Sequence, residues 1–181
     1  MNVSELKTNR LLLRKFASSD LNFVHHHFSN AKVTEFLYDN EPAESIDAAR
    51  KILDWCMDFS SPTHTRWCIT LLDNKTQIGT CGFHNYDSTN NASEIGYDLL
   101  PDYWNNGYMS EALTEMLSYG FEHLGLNRIY AFVFVNNAAS NRLLERLGFS
   151  LEGVIREKHY YRGKYYDHNL HSLLRSDWPG R

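Results

Sequence analysis

The sequence predicts an α/β fold: a central mixed, mostly antiparallel sheet flanked by about four helices. Three observations carry this. Apolar residues recur at Met109, Ala112, Leu113, Met116, Leu117, Gly120, Phe121 and Leu124, the helical period. A strand-like run over 92–100 precedes that helix and a solidly apolar run, 127–135, follows it, the order of a parallel strand–helix–strand unit. Hairpin signals before and after this unit call for antiparallel strands around it. A chain of 181 residues suffices for a single domain over 1–181 with a sizeable core.

The elements follow in order. Residues 10–16 read as a first strand. Ser18, Ser19 and Asp20 offer an N-cap for a helix over about 20–30. His25, His26 and His27 lie on it; consecutive helical positions point about 100° apart, so they cannot converge on one metal, and the plain reading is a partly exposed helix. Pro42 opens a second helix, 43–59, with Ile46, Ala49, Ile52, Leu53 and Met57 at helical spacing, broken by Ser60-Ser-Pro62. Trp67–Leu72 and Gln77–Phe83 form a hairpin about Asp73-Asn-Lys75. A third strand, Ser93–Leu99, puts Ile95, Tyr97 and Leu99 on one face and Glu94, Gly96 and Asp98 on the other. The central helix ends near Leu124 with Gly125 as C-cap. An Asn-led helix follows the strand 127–135, with Leu143, Leu144 and Leu147 as its apolar face and Gly148 as its stop. Phe149–Tyr161 and Lys164–Leu174 close the chain as a hairpin about Arg162-Gly163.

Composition excludes several functions. The net charge is -4 and Lys and Arg are scattered, so there is no nucleic-acid footprint. The longest apolar run, Ile129–Val135, is too short to span a bilayer, and the start of the chain has no signal-peptide core. Cys56, Cys68 and Cys81 form no C-x-x-C pair and read as idle thiols of a reducing, cytoplasmic compartment.

The most informative stretch is Asp102-Tyr-Trp-Asn-Asn-Gly-Tyr-Met-Ser-Glu-Ala112, a Gly-containing turn running into the central helix. A helix start has free backbone N–H groups and the positive end of the macrodipole, so it can hold a phosphate. Gly107 allows close approach and a positive φ, and Asn105 and Asn106 also tolerate left-handed backbone. By itself, this is equally an ordinary loop-to-helix joint.

Five segments in order set the weighting: Leu6–Arg14, Glu94-Ile-Gly-Tyr97, Tyr103–Ala112, Asn137-Ala-Ala-Ser140 with Leu144–Phe149, and Arg162–Asp167. Together they resemble the GNAT N-acetyltransferases, in particular the branch of ribosomal-protein N-terminal acetyltransferases. The resemblance implies acetyl-CoA as donor and no metal. Its diphosphate would sit on the backbone N–H groups of Asn105, Asn106, Gly107, Tyr108, Met109 and Ser110. Its pantetheine arm would pair along Tyr97, Leu99 and Leu100, in a gap where strand 92–100 splays from strand 127–135, with Asn137 bonding the arm. Trp104, Asn105 and Asn106 depart from the branch's usual Gly-Lys before the Gly, which removes a cation near the phosphates.

Acetyl transfer to an amine needs a proton acceptor, an oxyanion donor and an acid for the leaving thiolate. A backbone N–H on strand 94–100 is the natural oxyanion donor. Ser140 is the candidate acid, or else a helix-start serine bonding local backbone. Glu94 is the candidate base, or else a strand-edge carboxylate paired with a cation. Glu111 reads as structural at the helix start, and His84 as a solvated strand end. Tyr160, Tyr161, Tyr165 and Tyr166 could line an acceptor groove, fill the core or meet a second subunit. The expected reaction is direct attack by a protein N-terminal α-amine. The alternatives are a small amine (a polyamine or aminoglycoside) and a non-catalytic acyl-CoA-binding module. A nucleotide-binding domain is disfavoured, since no G-x-G-x-x-G or P-loop motif occurs. The expected assembly is a monomer or homodimer, without nucleic-acid or membrane partners.

Overall fold

The computed structural model describes residues 4–37 and 41–180; the first three residues of the polar N-terminus lie outside them. Its strands are β1 (Leu6–Lys7), β2 (Leu11–Arg14), β3 (Thr65–Leu71), β4 (Gln77–Asp87), β5 (Ala92–Leu99), β6 (Arg128–Phe134), β7 (Ser150–Tyr161) and β8 (Lys164–Leu174). Its helices are α1 (Leu21–Phe28), α2 (Ala31–Thr34), α3 (Ile46–Cys56), α4 (Tyr108–Glu122) and α5 (Ala138–Arg146). The sheet runs β1-β2-β3-β4-β5-β6-β8-β7. Every neighbouring pair is antiparallel except β5 and β6. The mixed, mostly antiparallel α/β architecture is therefore the expected one.

Local chemistry moves several boundaries. The opening strand is two short ones, because Thr8 turns the chain: its N–H donates to the Leu11 carbonyl and the Leu11 N–H returns to its hydroxyl, both at 2.9 Å. Asp20 does not cap the first helix; its carboxylate binds the Arg14 guanidinium at 2.8 and 2.9 Å and the Ala17 N–H at 2.9 Å. The expected helix over 20–30 stops at Phe28, and Asn30 caps the short α2. α3 starts at Ile46 rather than 43, because the Ser45 hydroxyl accepts from the Ala48 N–H (3.1 Å). α4 ends at Glu122, before Gly125.

The helices cover both faces of the sheet. On one, α4 and α5 bury Met109, Leu113, Met116, Leu117 and Leu144 with Leu11, Leu13, Trp67, Ile69 and Phe83. On the other, α1 to α3 bury Phe23, Val24, Phe28, Ala49 and Leu53 with Phe16, Cys68 and Leu100. At about 25 cal/mol per Å² of apolar area, these two layers drive folding. Cys56, Cys68 and Cys81 are buried and unpaired, and burial pushes the Cys56 and Cys68 thiols up to about 12.

Candidate active site

β5 and β6 pair only at Ala92↔Arg128, Ser93↔Ile129 and Glu94↔Tyr130. Beyond Glu94 they part, and a cavity of about 1220 Å³ opens there. Its wall includes Glu94 to Leu99 of β5, Ala131 to Phe134 of β6, the loop before α4, and Asn137 and Ser140 of α5. On its other side β5 stays paired with β4, from His84↔Glu94 to Gly79↔Leu99, and the Leu100 N–H reaches the Ile78 carbonyl (2.8 Å). Antiparallel alternation then turns the backbone groups of Ile95, Tyr97 and Leu99 towards the gap. Leu99 offers less than expected, since its carbonyl already accepts the Trp104 indole N–H at 2.8 Å. Leu100 stands apart from its expected place: its N–H serves β4, its side chain joins the α1–α3 cluster, and it is absent from the cavity wall.

At the far end lies the turn into α4. Asn105 has φ 61° and Gly107 φ 77°, so both adopt the left-handed backbone that Asn and Gly tolerate. The first backbone bond of α4 runs from the Glu111 N–H to the Gly107 carbonyl (3.0 Å), and the N–H groups of the preceding turn lie ahead of that ladder. Asn105, Gly107, Tyr108, Met109 and Ser110 line the cavity; Asn106 does not, and its side chain donates to the Trp104 carbonyl (2.9 Å).

Arg10 is the residue that sequence reading missed here. Its Nη1 donates to the Asn106 carbonyl (3.1 Å), its Nε binds Glu111 (2.6 Å), and its guanidinium lies 4.4 Å over the Tyr108 ring. A Cβ on Gly107 would lie 3.5 Å from Arg10 Nη2. Glu111 also accepts from the Thr8 hydroxyl (2.5 Å) and the Arg10 N–H (2.9 Å). Its structural role is thus to strap the β1–β2 turn to the helix start, and the strap puts a cation beside a loop that lacks lysine.

Ser140 does not bond local backbone through its hydroxyl. That hydroxyl lies 2.5 Å from the Tyr97 phenol, while the Ser140 N–H donates to the Asn137 side-chain oxygen (3.1 Å). Asn137 is therefore the N-cap of α5, and its amide nitrogen has no hydrogen-bond partner among the described residues. Burial pushes the Tyr97 phenol well above its ordinary value, so it stays protonated.

The opposite face of β5 holds a buried polar network. Asp98 binds Arg66, the His27 Nε2 (2.6 Å) and the Thr80 hydroxyl (2.8 Å). Arg66 also donates to Thr80 (2.8 Å) and, through Nη1, to the His84 Nε2 (3.0 Å). Arg66 and His27 hold Asp98 below the ordinary carboxylate value despite the opposing effect of burial. His84 is not a solvated strand end: it lies within β4, packs edge-on to Trp55 at 5.3 Å and lines the cavity. Burial and Arg66 push its imidazole down to about 3. The helix of three histidines is partly exposed, as expected, with His26 at the surface and His27 fully buried. Helical periodicity alone places His27 on the inner face with Phe23 and Val24; its partner Asp98 is 71 residues away and leaves no local signal.

Glu94 shares that face and accepts from the Asn85 amide at 2.9 Å. The hairpin tyrosines lie elsewhere. Tyr160 and Tyr165 are exposed at the tip with ring centroids 5.0 Å apart and planes tilted by 59°, Tyr161 is buried, and none of the four lines the cavity.

This geometry has relatives. The model of the acetyltransferase (GNAT) domain matches residues 10–150. The chain is 41% identical to the uncharacterized N-acetyltransferase YoaA of Bacillus subtilis over 94% of its own length and 96% of the relative's. It is 35% identical to the [ribosomal protein uS5]-alanine N-acetyltransferase of Escherichia coli K12 over 60% of its length and 57% of that enzyme's. The crystal structure of spermidine N-acetyltransferase from Vibrio cholerae with CoA and spermine superposes with a TM-score of 0.82 at 25% identity, covering 94% of this chain and 98% of that one. The chain therefore belongs to the GNAT family as an acetyl-CoA-dependent N-acetyltransferase.

Proposed function

We propose that the protein, as a single cytoplasmic domain over 1–181, transfers acetyl from acetyl-CoA to a protein N-terminal α-amine by direct attack. The carrying observation is that Glu94 and the Tyr97–Ser140 pair project from opposite faces of β5 just where β6 departs. A thioester held in that gap has a proton acceptor on one side and a proton donor on the other.

The donor would be held in three parts. The N–H groups of Asn105 to Ser110 face the diphosphate, with Arg10 supplying the charge that Asn106 lacks. Ile95 and Tyr97 offer backbone pairs to the pantetheine arm. The Asn137 amide bonds the same arm.

In the reaction the amine lone pair forms the N–C bond and the carbonyl oxygen takes the negative charge, facing a β5 backbone N–H. Collapse breaks the C–S bond and expels the CoA thiolate. The thiolate takes the Ser140 proton, and Ser140 is refilled from the Tyr97 phenol. The amine's proton passes to Glu94, and solvent restores Tyr97. The high-pKa buried thiols offer no nucleophile for a covalent enzyme intermediate.

The cavity's charge favours a peptide over a polyamine. Among the described residues its wall carries Glu35, Glu94 and Asp98 against Lys32, Lys51, Arg66 and Arg146. A chain of several ammonium groups wants a surplus of carboxylates, whereas one α-amine needs only Glu94. Initial rates with acetyl-CoA across peptides of different first residues, with spermidine as rival, test this. Peptide turnover is expected. Turnover of spermidine alone removes the peptide reading, and CoA binding without turnover of any amine leaves an acyl-CoA-binding module. Ser140→Ala should lower kcat about 100-fold, the low end of general acid effects, with the acetyl-CoA KM nearly unchanged. Parent-like kcat would leave Ser140 only its place in the α5 turn.

A further inference from the structure

His84 is set up as a hydrogen-bond donor rather than a base. Arg66 has no acceptor atom, so its Nη1, 3.0 Å from His84 Nε2, must donate. Nε2 therefore carries the lone pair, and the ring proton sits on Nδ1. The depressed pKa agrees, since burial and the facing guanidinium both oppose a second proton. The orientation is fixed from several sides. Arg66 is anchored by Thr80 and Asp98, and Asp98 by His27. Trp55 stands edge-on to the ring, and Gly96 leaves it room: a Cβ there would lie 2.9 Å from His84 Cε1 and 3.0 Å from Arg66 Nη1. Nδ1 has no hydrogen-bond partner among the described residues and is not among the buried unpartnered atoms, so it is accessible in the wall.

Across the β4–β5 ladder, His84 is the register partner of Glu94. Directly opposed residues of an antiparallel pair have side chains on one face, about 5 Å apart at Cβ. The cavity thus presents a fixed N–H donor beside a carboxylate. An N-terminal residue offers the complement: an amine with N–H groups and, two bonds along from its Cα, a carbonyl oxygen. A polyamine offers no acceptor for the imidazole N–H, and burying that donor against methylenes would leave it unmet.

We infer that His84 is the specificity-determining residue of the acceptor site: its Nδ1–H bonds the first carbonyl oxygen of a peptide whose α-amine faces Glu94. This rests on the peptide reading above and adds the recognition of the first peptide bond. His27, Asp98 and Arg66 are positioning residues that fix the tautomer.

The test uses a peptide substrate, the same peptide with an alkene isostere for its first amide, and spermidine. With the parent enzyme, kcat/KM should be about 10- to 100-fold higher for the amide than for the alkene, as expected where a site's donor goes unmet. His84→Leu should erase that preference by raising the peptide KM by the same factor, about 10- to 100-fold, with the acetyl-CoA KM unchanged. His84→Gln, which keeps both an acceptor for Arg66 and a donor for the substrate, should restore part of it. Should the leucine variant not fold, the parent on the two peptides and the glutamine variant still decide. Equal rates on amide and alkene overturn the His84 role and leave peptide acetylation standing. An equal loss on both peptides in His84→Leu makes the ring a packing element and also overturns it. Turnover of spermidine with none of any peptide overturns both readings together.

Discussion

The two ends of the cavity are built from different materials. At the α4 end, the surface offered to a ligand is backbone: the turn from Asn105 to Ser110, shaped by two left-handed residues and braced by Glu111. At the α1–α3 end it is side chain: His84, held by Arg66, Asp98, Thr80 and His27 from four separate elements, and Glu94, held by the Asn85 amide. A backbone site tolerates side-chain change provided the turn keeps its φ values, so the departure at Trp104-Asn105-Asn106 leaves its shape intact. A side-chain site depends on every member, because removing one partner of a buried charge strands the other.

The largest test of this difference is Gly107→Glu. A side chain on a left-handed residue costs about 1 kcal/mol, and a carboxylate about 4 Å from a phosphate adds about 4 kcal/mol of repulsion near a surface. Acetyl-CoA affinity measured by calorimetry should fall by about 100-fold or more. Gly107→Ala should lose much less, since it adds strain without charge. A folded glutamate variant with parent affinity would move the phosphate site away from this turn.

Asp98→Asn is the counterpart at the other end. It leaves Arg66 buried without its carboxylate, which costs about 3–5 kcal/mol. At roughly 2–4 °C per kcal/mol for a chain of this size, the midpoint should drop by about 6–20 °C. Below that midpoint, acetyl-CoA affinity should stay near the parent's, because the α4 turn shares no partner with the network. An unchanged midpoint would show that the guanidinium is hydrated after all. A fall in acetyl-CoA affinity would couple the two ends and blur the contrast.

The same contrast explains what could be read from the sequence. The α4 turn was legible because a glycine, two asparagines and a helical period lie within a few residues of one another. The β5–β6 opening was expected only from family resemblance, and its cause, pairing that stops at Glu94↔Tyr130, has no local signature. His84 read as a solvated strand end because its lock, Arg66, is 18 residues away on a neighbouring strand. The burial of His27 follows from helical period, but its pairing with Asp98, 71 residues away, does not. Leu100 was grouped with Leu99 by adjacency, yet neighbouring strand residues point their backbone groups to opposite sides, and Leu100 serves β4. Long-range polar pairs are what a single sequence hides.

Arg10 offers the smallest and sharpest test, because its guanidinium ties Glu111 and the Asn106 carbonyl together at the backbone-built end. Its guanidinium is about half exposed, with 46% of the side chain's surface accessible, so its charge is screened by water and salt. Arg10→Gln should weaken acetyl-CoA binding by roughly 1 kcal/mol, about fivefold, and flatten the salt dependence of that affinity. Acetylated pantetheine, which lacks the diphosphate, separates two ways this loss could arise. If Arg10 acts by its charge on the phosphates, the substitution should leave turnover of acetyl-pantetheine unchanged. If Arg10 acts only by strapping Glu111 and the Asn106 carbonyl into place, the turn loosens for both donors and both rates fall together. The second outcome would make the α4 end depend on a side-chain strut as the other end does, and the distinction between backbone-built and side-chain-built halves would then be one of degree.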